Sequence, residues 1–364
     1  MSNNRLISTV VATHNRPDFV VRTLQCLARQ TYRPTEVIVI DDGSQPDTEQ
    51  AIAAWRRTCR PNFPLVYLWQ PNSGPAVARN RGVAVSSCDL IHFIDDDDIM
   101  HPGALESLVG ALDTDAAAIA MASYQDRWDS GAVGELVGPP DLSADERLAA
   151  MIAGTWFVPI HGYLFTRAAV ERIGGWNTAL TSQEDDDYLL RAALAAIDFR
   201  PAPASRVYYC QHAGVRRATP GKPGESVQHG LEKRFYADLA IRESVYEHLR
   251  GTGQAQEYRH AFGMWRERLR DRYHTVMGST RPKSRLLDWL EATEEAAATT
   301  VACAARQSGA APQPAVRPML APADFTLRRS MKRTGRRAEE PAGAPAARKP
   351  AAGPWVNGAL RRSP

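Results

Sequence analysis

Three features of the sequence predict an α/β fold with a mainly parallel sheet. Short apolar runs alternate with helix-patterned segments through the first part of the chain. One of those runs, "LIHFIDDDD" from Leu90 to Asp98, ends in four consecutive carboxylates, as expected of a buried strand that delivers charge at its C-terminal end. Further on, a second acidic cluster, "EDDDYLLR", opens an amphipathic helix. Ligands of such sheets sit beyond the carboxyl ends of the strands.

The elements follow in order. "RLISTVVATHN" predicts a strand over Leu6 to Ala12 that ends in the polar Thr13, His14 and Asn15. A helix follows, with Pro17 in its first turn and Val20, Leu24 and Leu27 at helical spacing. "EVIVI" is a second strand ending at Asp41, Asp42, Gly43 and Ser44, and "DTEQAIAAWRRT" and "LVYLWQ" supply a helix and a third strand. This alternation implies right-handed crossovers. Gly74 and Pro75 open the next helix, which carries Arg79 and Arg81 and faces the edge of the sheet where the acids lie. Either arginine suits a phosphate or a base there, and Arg81 suits a surface ion pair as well.

Asp95, Asp96, Asp97 and Asp98 repel one another, so a site that keeps them ionised needs a cation or hydrogen-bond donors. Oxygen ligands favour a hard divalent ion, Mg²⁺ or Mn²⁺, which keeps positions open for substrate phosphates. Beyond them, "HPGALESLVGAL" predicts a helix and "AAIAMASYQD" an alternating strand; the middle of the chain is less regular until "PIHGYLFTRAAVERIGGWN". In the second acidic cluster Ser182 precedes Glu184 and Asp185. A helix dipole accounts for one or two acids in a first turn, but not for four. At least one is expected to be aimed into a cleft as a catalytic base.

Composition limits the alternatives. The 364 residues suit one large α/β domain with appendages. Without a leader-like start or a long apolar run, a cytoplasmic protein is expected. Cys26, Cys59, Cys88, Cys210 and Cys303 are scattered, which argues for reduced thiols and against a zinc site or disulfide framework. The net charge of +3 hides an asymmetry: residues 301–364 hold 12 Lys and Arg against 3 acids, or +9, leaving −6 for the rest. This Pro-, Ala- and Arg-rich tail is expected to be disordered and solvated. No specific nucleic-acid partner is indicated, and weak contact with an anionic membrane surface is the most that the tail implies.

The succession "STVVATHNRPDF", "EVIVIDDGS", "NSGPAVARNRG", "FIDDDD", "RIGGWN" and "EDDDYLLR" resembles the family 2 glycosyltransferases of the GT-A fold, over roughly Leu6 to Gln211. The resemblance implies a GT-A domain over 1–228. A helical extension over 229–300, with Leu231, Phe235, Leu239, Tyr246 and Leu249 at helical spacing, would pack on it, and the tail over 301–364 would follow. It further implies inverting transfer of one sugar from a nucleotide sugar, UDP-linked by preference. The acceptor would be a glycan, a lipid-linked molecule or a small molecule. By resemblance Ala12, Thr13, His14 and Asn15 hold the nucleotide base, with His14 where tyrosine is frequent. Asp42, with Asp41 beside it, recognises uracil, and Arg79 lies over the nucleotide. Asp95 and Asp97 form the ends of the DxD motif: Asp97 ligates Mn²⁺ or Mg²⁺, and Asp95 or Asp96 contacts the ribose. Asp185 is the general base, Glu184 orients it or touches the acceptor, and His212 is a metal ligand or phosphate contact.

Arg191 is expected in a structural ion pair, and Trp156, Phe157, His161 and Trp176, which flank the acids, at the acceptor. The chain lacks the "QxxRW" element of processive synthases. The alternative is a non-catalytic nucleotide-sugar-binding or scaffold protein on the same fold. A haloacid-dehalogenase-type phosphotransferase is disfavoured, because three strands precede the acids.

Overall fold

The computed structural model describes residues 5–113, 116–212, 226–277 and 282–293. The tail expected over 301–364 lies outside them, and the boundary expected at 228 falls in the first turn of a helix, Val227–Gly251.

The first half alternates as the apolar pattern predicts: β1 (Ile7–Thr13), α1 (Pro17–Ala28), β2 (Thr35–Asp42), α2 (Pro46–Cys59), β3 (Leu65–Gln70), α3 (Pro75–Val85) and β4 (Leu90–Asp95). All seven residues of β1 are buried, as befits a strand covered on both faces. Each of the three helices begins with a proline, whose missing N–H costs nothing in a first turn. Helix α1 buries Val20, Leu24 and Leu27 along the expected stripe. Gly74, just before α3, has φ 91°, a conformation that other residues rarely adopt.

A two-residue strand β5 (Ile99–Met100) follows the acids, then α4 (Ala104–Ala111) and β6 (Ala118–Trp128). The irregular middle contains α5 (Ala144–Ile152), which the apolar pattern alone does not reveal. It is marked by a capping box in which Glu146 N donates to Ser143 Oγ and Ser143 N to Glu146 Oε2. After it come β7 (Tyr163–Thr166), α6 (Arg167–Ile173), α7 (Glu184–Leu194) and β8 (Asp198–Gln211).

The eight strands form one sheet in the order β3-β2-β1-β4-β7-β6-β8-β5. The sheet is mixed, with parallel pairing in the majority. β1 to β4 pair in parallel, as do β6 and β8, while β7 runs antiparallel to both of its neighbours. The chain leaving β6 turns back without a full crossover to the far end of the sheet, so β7 must run the other way. Register places Thr13 beside Asp41 and Ala12 beside Asp95. The polar ends of β1, β2 and β4 thus share one edge.

Helices α8 (Val227–Gly251) and α9 (Arg259–Met277) close the described chain, with a helical stretch at 285–293. α8 packs on α7 and α9, and α9 on α5. Phe235, Leu239, Tyr246 and Leu249 of α8 are buried, and Trp265 Nε1 donates to Asp238 Oδ1 at 2.9 Å. Among the described residues no helix is long and apolar enough to cross a membrane.

Gly82 of α3 lies on β1, where an added Cβ would collide with both γ-methyl groups of Val10. Gly82→Ala is therefore expected to lower the unfolding free energy by about 1–3 kcal/mol, as overpacking does, measured by chemical denaturation.

Candidate active site

The four acids at the end of β4 have separate partners, except that Asp96 and Asp97 share Arg16. Asp95 Oδ1 accepts from Arg79 Nη2 at 2.7 Å. Asp96 accepts from Thr13 Oγ1 at 2.7 Å and from Arg16 Nη1 at 3.1 Å, and the same Arg16 nitrogen reaches Asp97 Oδ2 at 2.8 Å. Asp98 Oδ1 accepts from the backbone N–H of Cys210, and its Oδ2 lies 3.1 Å from Nδ1 of the fully buried His161. Burial alone would lower the His161 pKa, but the Asp98 charge beside it raises it. Thr23 Oγ1 sits 2.9 Å from the carbonyls of both Asp96 and Asp98, tying the acidic turn to α1. Burial, followed by the charges of Asp98, Asp96 and Asp95, still pushes the Asp97 carboxyl up to about 7 against the pull of Arg16.

The loops after β1 and β2 are stitched together. Asn15, at φ 53°, accepts from Gln45 N through Oδ1, and its own N–H donates to Ser44 Oγ. His14 Nδ1 lies 2.8 Å from the Asp42 carbonyl, and Asn15 Nδ2 lies 3.0 Å from its Nε2. Asp41 is buried, accepting from Ser44 N and Tyr67 Oη. Asp42 is equally internal: Oδ1 accepts from Gln70 Nε2 and Ser73 N, and Oδ2 from Gly74 N. Both acids brace the loops that follow β2 and β3. Ala12 is buried beneath them.

At α7 the cluster divides. Gln183 precedes the helix at φ 59° without a side-chain cap, and the Ser182 hydroxyl, which would be the usual cap, is buried with no partner among the described residues. Glu184 Oε1 accepts from Arg79 Nη1 at 3.1 Å, Asp186 Oδ2 from Arg242 Nη1 at 3.1 Å, and Asp187 Oδ2 from Arg191 Nε at 2.9 Å. Arg191 is thus in a structural pair. Asp185 alone has no ion pair or hydrogen bond to its carboxyl among the described residues. Burial, then Asp186 and Glu184, push its pKa up to about 7, with Arg79 opposing.

Arg79 joins the two clusters. One guanidinium spans Asp95 and Glu184, and it lies 4.5 Å from the Trp176 ring centroid, which stacks on Tyr188 at 4.3 Å. Burial would lower the Arg79 pKa, but Asp95 and Glu184 raise it. Trp176, Trp156 and His161, expected at the acceptor, are instead interior: Trp176 supports Arg79, Trp156 Nε1 donates to Tyr163 Oη at 2.8 Å, and His161 lies under the acids. Helix and sheet packing claims their apolar surface. Phe157 remains 36% exposed, with its ring centroid 5.4 Å from that of Tyr124.

His212 comes to the acids as expected, its Nε2 being 3.3 Å from the Asp97 carbonyl and its Nδ1 2.6 Å from Asp129 Oδ1. Among the described residues no set of three or more His, Cys, Asp or Glu side chains is arranged to hold a metal. A Mg²⁺ or Mn²⁺ ion that takes one or two protein ligands and completes its shell from phosphates and water fits Asp97, with Asp95 or His212 nearby. The observation behind that fit is the oxygen donor set itself: Asp97 is raised by burial and then by three neighbouring carboxylates, a buried surplus of negative charge suited to a hard cation. Arg16 and Arg22, which surround Asp97, are not marked by any local pattern; only the "HNRP" turn places the first of them beside a strand end.

The sequence and fold compare with known proteins as follows. Residues 8–172 match the family model described as "Glycosyl transferase family 2". An uncharacterized glycosyltransferase of Rickettsia bellii is 31% identical over 119 residues, which are 33% of this chain and 17% of that protein. The uncharacterized glycosyltransferase YwdF of Bacillus subtilis is 26% identical over 233 residues, 64% of this chain and 81% of the relative. Among solved structures, S. aureus TarS 1-349 in complex with UDP-GlcNAc superposes with a TM-score of 0.52 at 18% identity, covering 76% of each chain. The shared architecture is a GT-A-type fold.

Replacing Arg79 with methionine would leave Asp95 and Glu184 without their common counter-charge. Because Asp95 is partly exposed, the loss is expected to be smaller than for a fully buried pair, about 2 kcal/mol or more, read from denaturant unfolding at neutral pH.

Proposed function

We propose, from the match of residues 8–172 to the glycosyl transferase family 2 model, that this chain transfers one sugar from a nucleotide sugar to an acceptor hydroxyl with inversion, Asp185 serving as general base. The observation that carries this reading is the contrast within the second acidic cluster. Glu184, Asp186 and Asp187 are each held by an arginine, whereas the Asp185 carboxyl is left without a direct partner among the described residues and is pushed up to about 7. A carboxylate of that basicity can take a proton at neutral pH, and efficiency is greatest when its pKa lies near the working pH.

In the transfer, the acceptor oxygen forms a bond to the anomeric carbon as its proton passes to Asp185. The bond from that carbon to the diphosphate oxygen breaks, and its electron pair leaves with the diphosphate. Base and leaving group on opposite faces give inversion. The nucleobase would lie against His14, Asn15 and the loop that Asp42 braces, Asp42 acting by holding that loop in place. Arg79 and Glu184 would hold the α7 turn at a constant distance from Asp95, on the ribose side. Asp97, with Asp95 and His212, would hold Mn²⁺ or Mg²⁺. When bound, that cation supplies neutralisation of the charge developing on the diphosphate. A uridine diphosphate donor is supported by the ligand of the S. aureus TarS structure. Phe157, exposed beside Tyr124, is the aromatic surface offered to the acceptor.

The pH dependence has a definite sign. A raised carboxyl pKa keeps Asp185 neutral, and unable to accept a proton, below about 7. With saturating donor and metal, kcat is therefore expected to rise through neutral pH to a plateau, measured by initial rates across buffers. Asp185→Asn is expected to cut kcat by about 10²–10⁴ while donor Kd, read by calorimetry, is retained; a variant of full activity refutes the base assignment. Chelation with EDTA is expected to abolish turnover and Mn²⁺ to restore it.

A further inference from the structure

The turn after β1 and helix α1 each bring a guanidinium group, that of Arg16 and that of Arg22, to the residues that the metal reading assigns to the cation. Arg16 Nη1 donates to Asp97 Oδ2 at 2.8 Å and to Asp96 Oδ1 at 3.1 Å. Arg22 Nη2 donates to the Asp97 carbonyl at 2.6 Å and lies 3.2 Å from His212 Nε2. His212 Nε2 thus faces both the Arg22 donor and, at 3.3 Å, the Asp97 carbonyl, while Nδ1 lies 2.6 Å from Asp129 Oδ1. A proton on Nδ1, held by Asp129, would leave Nε2 open to a metal, with a carboxylate orienting the ring from behind. The Phe19 ring holds the group together, 5.7 Å from the Arg16 guanidinium, 5.1 Å from that of Arg22 and 4.7 Å from the His212 ring.

We propose that Arg16 and Arg22 are resident counter-cations of the Asp97–His212 pair and that they exchange with the divalent ion when the donor arrives. In the exchange the Arg16 guanidinium passes from Asp97 to the donor's diphosphate. The inference rests on the metal-dependent reading above. Two considerations support it. A guanidinium and a divalent ion at the same carboxylate oxygen repel one another, so Arg16 weakens metal binding to the free protein. A planar fork that fits a carboxylate also fits a phosphate, so the diphosphate offers Arg16 a replacement partner. Metal and nucleotide then favour each other's binding, and the coupling is reciprocal. The site would load the two together.

The test uses the full chain and follows Mn²⁺ binding by electron paramagnetic resonance, with and without UDP, for wild type, Arg16→Gln and Arg16→Lys. Wild type is expected to bind Mn²⁺ at least about tenfold more tightly when UDP is present. Arg16→Gln is expected to bind Mn²⁺ alone about tenfold more tightly than wild type, and its gain from UDP to fall by about the same factor, leaving the part that comes from phosphate ligation of the ion. Arg16→Lys, which keeps the charge without the fork, is expected to retain weak binding of Mn²⁺ alone, so the proposal remains testable should the glutamine variant fail to fold. Unchanged or weaker binding of Mn²⁺ alone by Arg16→Gln, or tight binding of Mn²⁺ alone by Arg16→Lys, overturns the exchange and leaves the metal-dependent reading standing. Absence of Mn²⁺ binding to wild type with and without UDP overturns the metal-dependent reading and the exchange with it.

Discussion

Everything at the mouth of this sheet depends on how two runs of carboxylates are kept from repelling one another. Like charges about 4 Å apart cost on the order of 4 kcal/mol each at an effective dielectric near 20, so neither run can stand without compensation. Arg79 does the most, because it neutralises one member of each run, Asp95 after β4 and Glu184 at the start of α7. Its position is secured by Trp176, which stacks on Tyr188 of α7. The distance between the two acidic turns is therefore set by one buried guanidinium and the aromatic pair beneath it.

Compensation is uneven, and the unevenness sets apart the acids that carry fixed contacts from the two that the proposed function uses. Arg242 and Arg191 engage Asp186 and Asp187, so these acids anchor α7 to α8 and to its own next turn. His161 and the Cys210 N–H engage Asp98, which joins the acidic turn to β8. The two carboxyls that burial and like charge leave most basic are Asp97 and Asp185. They lie on different elements, one beside the expected diphosphate and one beside the expected acceptor. Groups whose pKa values are pushed toward neutrality by this combination are characteristic of working sites.

Much of this was legible in the residues. Period and proline placement located β1 to β4 and their helices because each buries a continuous apolar surface. Both acidic clusters stood out because neither capping nor solvation needs four carboxylates. The aromatics were read less well: Trp156 and Trp176 flank the acids along the chain, yet their rings point into the core. Helix α5 escaped notice because its marker is a capping box and not a long apolar stripe. β7 reverses the sheet direction for a reason that lies in the path of the chain, which no local pattern records.

The sequence by itself determined the alternation of elements, the edge of the sheet at which the polar strand ends meet, and the two acidic clusters that mark the site. Those properties follow from local spacing and from the alternation of side chains along strands and helices. Only the tertiary structure decided which cation serves which acid, which carboxylate has no direct cation partner among the described residues, and which aromatics remain exposed. Arg16 meets Asp97 across 81 residues, Arg79 meets Glu184 across 105, and His212 meets the Asp97 carbonyl across 115. Separations of that size carry no periodic signal, and they join the acidic clusters to the cations that lie far from them along the chain.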